Sequence, residues 1–136
     1  MNRMLKSALI VGVVAASAGC ATTQFEVYNG LVTSVGEGAV FEEVPMTTIP
    51  QERLVIVVTH VRWEPATTTA GYHKVVWKWY KAEKLVAERE RSVEFKKTPY
   101  RFWYRFPARD FDVGHYHVDV LIDGKVVEAH EFDIVP

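Results

Sequence analysis

The sequence predicts an all-β fold, a single antiparallel β-sandwich, and three observations carry that prediction. Short segments such as Tyr72 to Tyr80 and Tyr100 to Phe106 alternate apolar and polar side chains with period two. Those segments are rich in β-branched and aromatic residues, with glycine and proline falling between them. Asp123-Gly124 stands between two alternating runs, the pattern of a two-residue hairpin. A chain of 136 residues that is 49% apolar suits one domain with its own core.

The chain opens on something other than this fold. Arg3 and Lys6 precede an uncharged run from Ala8 to Ala18 and then small residues, the three-part layout of a secretory signal peptide. At about 11 residues the run is well short of the roughly 20 that a spanning helix needs, so cleavage is expected. The run ends in Ser17-Ala18-Gly19-Cys20, and Cys20 is the only cysteine in the chain. This stretch resembles the lipobox of bacterial lipoproteins, differing from its commonest form at Ser17, where a larger aliphatic residue is usual. The resemblance implies removal of residues 1–19 by cleavage between Gly19 and Cys20. It also implies a diacylglycerol on Cys20, an acyl chain such as palmitate on the new N-terminus, and attachment to a membrane by this lipid anchor. Two or more acyl chains at about 0.8 kcal/mol per buried methylene make such anchoring stable. Ala21 is not the aspartate linked to inner-membrane retention, so the resemblance further implies the outer membrane of a cell envelope, facing the periplasm.

With Cys20 alone there can be no internal disulfide, and an apolar core must hold the fold. Removing Arg3 and Lys6 from 16 basic residues leaves 14 against 17 acidic ones, a balance that argues against a nucleic-acid partner.

Residues 20–24 read as a lipidated leader and 25–136 as the sandwich, with a core over 52–135 and weaker strands or edge segments over 25–50. Phe25 to Thr33 predicts a first strand, with Phe25, Val27, Asn29 and Leu31 on one face. The tether from Cys20 would then reach only ~15 Å. The alternative leaves residues 21–50 mostly unpaired and the domain farther from its anchor. Gly36, Gly38, Pro45 and Pro50 punctuate this region.

The continuous run Leu54 to Val58 predicts a strand covered on both faces or at a sheet centre. Val75, Trp77 and Trp79 share the core face of the next strand, against Lys74, Lys78 and Tyr80. Leu85 to Phe95 has conflicting parity, because Arg89 and Arg91 fall in phase with Ala87, Val93 and Phe95. A bulge over Glu88 to Arg91 or an exposed edge strand would resolve it, and a helix over Ala82 to Arg91 is the rival reading. Tyr100, Phe102, Tyr104 and Phe106 then alternate with Arg101, Trp103 and Arg105.

Asp112, Gly114, Tyr116 and Val118 match the tyrosine corner of immunoglobulin-like sandwiches, in which the tyrosine hydroxyl bonds back to the chain a few residues upstream. Trp79 resembles the core tryptophan of that family, with Val118 where antibody domains have a disulfide cysteine. The resemblance covers about residues 52–135 and implies an immunoglobulin-like or fibronectin-like architecture.

Asp123-Gly124 predicts a type I′ turn pairing Ile122 with Lys125. An unbroken register beyond it sets Val118 against Ala129 and Val120 against Val127 inside, and Asp119 against Glu128 and His117 against His130 outside. On that register His115, His117 and His130 share a histidine-rich face with Asp119 and Glu128. Such a face is either solvated or able to share an ion between imidazoles about 5 Å apart. Arg101, Trp103 and Arg105 form a second grouping. Either Trp103 stands exposed between two guanidiniums, as at binding hot spots, or residues 25–41 cover it. Catalysis has no support, since no nucleophile elbow, phosphate loop or metalloprotease motif occurs, and no cofactor or resident metal is expected. The sequence therefore predicts a non-catalytic protein-binding or scaffolding module meeting an envelope protein partner. The alternative is a module that takes a metal or small ligand on its histidine face.

Overall fold

The computed structural model describes residues 25–66 and 69–136; the expected leader, cleavage site and lipidated cysteine lie outside them. Among the described residues nine strands run in chain order: β1 Phe25–Val27, β2 Leu31–Val35, β3 Thr48–Pro50, β4 Leu54–Trp63, β5 Gly71–Lys81, β6 Lys84–Phe95, β7 Tyr100–Pro107, β8 Gly114–Ile122 and β9 Lys125–Val135. They form two packed sheets. In the first, β1 and β2 share one side of β4 and β7 takes the other; the second has the order β3-β9-β8-β5-β6. All neighbours are antiparallel except β3 and β9. This is the all-β sandwich the alternation predicts.

The period-two pattern builds the core as expected. Val75, Trp77, Trp79, Val118, Val120, Val55 and Val57 are fully buried between the sheets. Leu54, Ile56 and Val58 face the other way, yet are also buried, against Leu31, Val35, Phe41 and Trp103. That second cluster is why the run over 54–58 is apolar without a break. Trp79 pairs with Val118 on the neighbouring strand and packs its ring on Phe106, Phe111 and Phe132. Tyr116 Oη donates to the Asp112 carbonyl at 2.5 Å, which closes the tyrosine corner. Asp123 and Gly124 both have positive φ, as a type I′ turn requires.

Three local expectations are corrected. The first strand is two strands: Val27 pairs with Val61 and Leu31 with Val58, so three residues on one side oppose two on the other. That extra residue turns the chain over, leaving Phe25 and Val27 on the main core but Leu31 on the outer cluster. The segment 25–50 otherwise contributes β2, buried along its whole length, and the short β3, while residues 36–47 between them lie outside any strand. Lys84–Phe95 is a strand at the sheet edge, one of the two expected resolutions of its parity and not the rival helix, but its register shift lies opposite Trp79 and Tyr80, at Val86, instead of over Glu88 to Arg91. The β8–β9 register holds only for Ile122 with Lys125 and Leu121 with Val126. It then slips by one, so that Val120 meets Glu128, Val118 meets His130 and Tyr116 meets Phe132.

Candidate functional site

The two long sides of the sandwich are finished differently. On one side β2 and β3 close the gap between the sheets, with Met46 N–H donating to the Val32 carbonyl and Ile49 buried in the core. On the other side β6 and β7 are the last strands of their sheets, and among the described residues their outer edges carry no further strand. Between them lies a groove of 590 Å³, bounded by residues 91–94 of β6 and 100–105 of β7.

Arginine lines this open side because the parity conflict in β6 is real. Arg89 and Arg91 point inward with Ala87 and Val93, and their guanidiniums lie over core rings: Arg89 is 5.2 Å from the Phe106 centroid and Arg91 is 5.2 Å from that of Tyr104. Inward charges on an edge strand discourage pairing with another chain unless it brings compensating acid. Among the described residues, neither of them nor Arg105 makes an ion pair, whereas Arg101 binds Glu43 at 2.6 Å.

The predicted trio on β7 is thus divided. Arg101 stacks 4.8 Å over Trp103 and is held by Glu43, which also meets His60 Nε2 at 2.7 Å. Trp103 is half-buried, its ring 5.5 Å from Phe41, so the segment preceding β3 covers it as the second arrangement required. Arg105 is exposed. Burial raises the Glu43 carboxyl, but the hydrogen bonds from His60 and Arg101 outweigh it and hold the group below its ordinary 4.5.

The histidines do not converge, which corrects the expected pairing of His117 with His130. His117 stacks on Tyr80, with centroids 4.5 Å apart. His115 bonds Asp133 at 2.7 Å and Glu131 at 3.0 Å, and those two carboxylates raise its pKa above the ordinary 6.5. His130 lies on the opposite face, turned inward by the register slip. Among the described residues no three His, Cys, Asp or Glu side chains are grouped to hold a metal ion.

What the slip builds instead is a polar seam on the closed side. Glu128 is buried; it accepts from Thr59 Oγ1 at 2.6 Å and bonds His130 through its other oxygen. Gly30 makes room for it, since a Cβ there would stand 2.2 Å from Glu128 Oε2. Counting by twos back from the core residues Phe132 and Ile134 reaches His130 and Glu128, so a signal for this seam was present in the sequence.

No family model matches the chain, and no curated protein matches it. Solved structures do. An immunoglobulin-like protein from Pseudomonas aeruginosa aligns over 82% of this chain and 97% of its own, with 11% identity and a TM-score of 0.50. An alkylpurine DNA glycosylase from Pseudomonas fluorescens, bound to DNA with an abasic site analogue, aligns over 82% of this chain at 13% identity and a TM-score of 0.54, but over only 30% of its own length. These likenesses show the fold alone: an immunoglobulin-like β-sandwich. Sandwiches of this architecture host many unrelated activities, so function has to be argued from the site.

Proposed function

We propose that the protein is a lipid-anchored lipoprotein of the bacterial cell envelope, held in the outer membrane through Cys20, whose sandwich is a non-catalytic module for binding another envelope protein. The observation that carries the binding role is the open side, where two edge strands flank a groove with Arg91 and Arg105 unpaired beside aromatic rings. An edge strand offers backbone donors and acceptors to an extended segment, and adjoining side chains select which segment is accepted. Here the arginines favour one carrying aspartate or glutamate, since guanidinium to carboxylate pairing is bidentate and strong. The anchor rests on the Ser17 to Cys20 motif behind its apolar run.

Two measurements test the two halves separately. The intact mass of membrane-extracted protein should show acyl chains on Cys20, and Cys20→Ala should release the protein from the membrane fraction. A photo-crosslinking residue at Ser92, on β6, should capture a defined envelope protein, and the double change Arg91→Glu with Arg105→Glu should abolish that capture while the circular dichroism spectrum stays that of a folded sandwich. Undiminished capture by the double variant would overturn the groove as the binding site.

A further inference from the structure

Building on the lipid anchor proposed above, we infer that the end of the sandwich carrying Tyr72, Lys74, Lys96, Lys97 and Lys125 rests on the anionic phospholipid headgroups of the membrane that holds Cys20. The position of Phe25 is the first argument. Its ring fills the end of the core between the two sheets, 5.1 Å from Phe95, 4.6 Å from the His73 ring and 6.1 Å from Trp63. Cys20 is five residues earlier in the chain, which allows a span of about 18 Å at full extension. An acylated Cys20 therefore keeps this end of the domain, and no other, next to the bilayer.

Strand direction says what that end presents. β4 and β6 finish there, at Trp63 and Phe95, while β5 and β7 begin there, at Gly71 and Tyr100. The β8–β9 turn joins them, because Asp123 accepts from the Lys74 N–H. All four lysines are exposed, and Tyr72 is 69% exposed, an amphipathic ring suited to headgroup depth. Of the nearby acids among the described residues, Asp123 is engaged by His73 at 2.6 Å, Glu26 pairs with Arg62 at 3.0 Å and Glu94 lies 3.8 Å from Lys96, leaving Glu64. The opposite end carries Glu37, Glu52, Glu83, Asp110 and Asp112 beside Arg53, Lys81, Lys84 and Arg109, an acidic excess of one, whereas the anchor end sets Arg62 and the four lysines against Glu26, Glu64, Glu94 and Asp123, a basic excess of one.

The full-length acylated protein, reconstituted in phosphatidylethanolamine vesicles with and without phosphatidylglycerol, tests this by lysine-directed acetylation read by mass spectrometry. Each basic residue near an anionic surface gains about fivefold in occupancy. Labelling of Lys74, Lys96, Lys97 and Lys125 should therefore fall about fivefold or more relative to Lys84, at the far end, once phosphatidylglycerol is present, and salt should reverse the effect. In the variant Lys96→Glu with Lys97→Glu, the labelling of Lys74 and Lys125 should return to the level seen without phosphatidylglycerol. Equal labelling of the two ends in acylated protein overturns the docking and leaves the anchor standing. Protection that is the same without phosphatidylglycerol overturns the headgroup recognition, since a short leash alone would produce it. Protein found without acyl chains overturns the anchor and the docking together.

Discussion

The closed side of the sandwich and the open side solve the same problem in opposite ways. Both must end a sheet without exposing the core. The closed side does it with chain: β2 and β3 cover the gap, and the space at its margin is filled by a carboxylate whose oxygens are satisfied by Thr59 and His130. The open side does it with charge, laying Arg89 and Arg91 across the rings that would otherwise face water. A buried carboxylate depends on its fixed partners, and losing it strands them. A guanidinium over a ring at an exposed edge keeps its charge available to another molecule. One flank is thus closed by packed chain and paired polar groups, while the other leaves charged groups at its edge.

Changes on the two sides should therefore differ in size and in kind. The largest effect is expected from Glu128→Ala, which leaves the Thr59 hydroxyl and the His130 ring without their partner and opens a void beside Gly30; urea denaturation should show a loss of about 3 kcal/mol. A loss under about 0.5 kcal/mol, the range of ordinary surface substitutions, would mean that the seam contributes nothing to closure. Arg91→Ala should cost less, about 1 kcal/mol for the lost cation–π contact and stem packing. The same variant should weaken capture of the proposed envelope partner, and a stability loss as large as that of Glu128→Ala would erase the distinction between the two flanks. The smallest effect concerns the segment over the outer cluster, where Glu43 holds Arg101 above Trp103. Its carboxyl is lowered from 4.5, so its contribution is complete above that pH and is lost as pH falls through the lowered value. Thermal midpoints measured down an acid series should fall more for the native protein than for Glu43→Gln, and parallel curves would remove Glu43 from the account.

Much of this architecture was legible in the sequence because its strongest features are local. Asp123-Gly124 fixes a turn within two residues, Tyr116 reaches a carbonyl four residues back, and the Trp77 and Trp79 face follows from period two alone. What failed was counting across an irregularity. A single extra residue near Val127 moved His130 and Glu128 from the outer face to the inner one, and another between Val27 and Leu31 put Leu31 on the outer cluster. Counting back from Phe132 puts Glu128 inside and counting forward from the turn puts it outside; what decides between them is what the displaced side chains find in the other sheet, here Thr59 and the space over Gly30. The short strand β3 was illegible for a related reason: three residues with one buried isoleucine owe their conformation to the parallel partner β9. At the candidate groove, Arg89 and Arg91 showed themselves as a conflict of parity, and the conflict was the signal.

The placement of Phe25 has a mechanical side. Tension on the chain ahead of Phe25, such as a drifting bilayer would exert on an anchored domain, acts first on the three-residue ladder between β1 and β4 and on the ring that stoppers the core. Under the proposed anchor, extracting that stopper would free several more residues of tether while β4 keeps its pairing with β2 and β7, so that Phe25 would act as a fuse ahead of the sandwich.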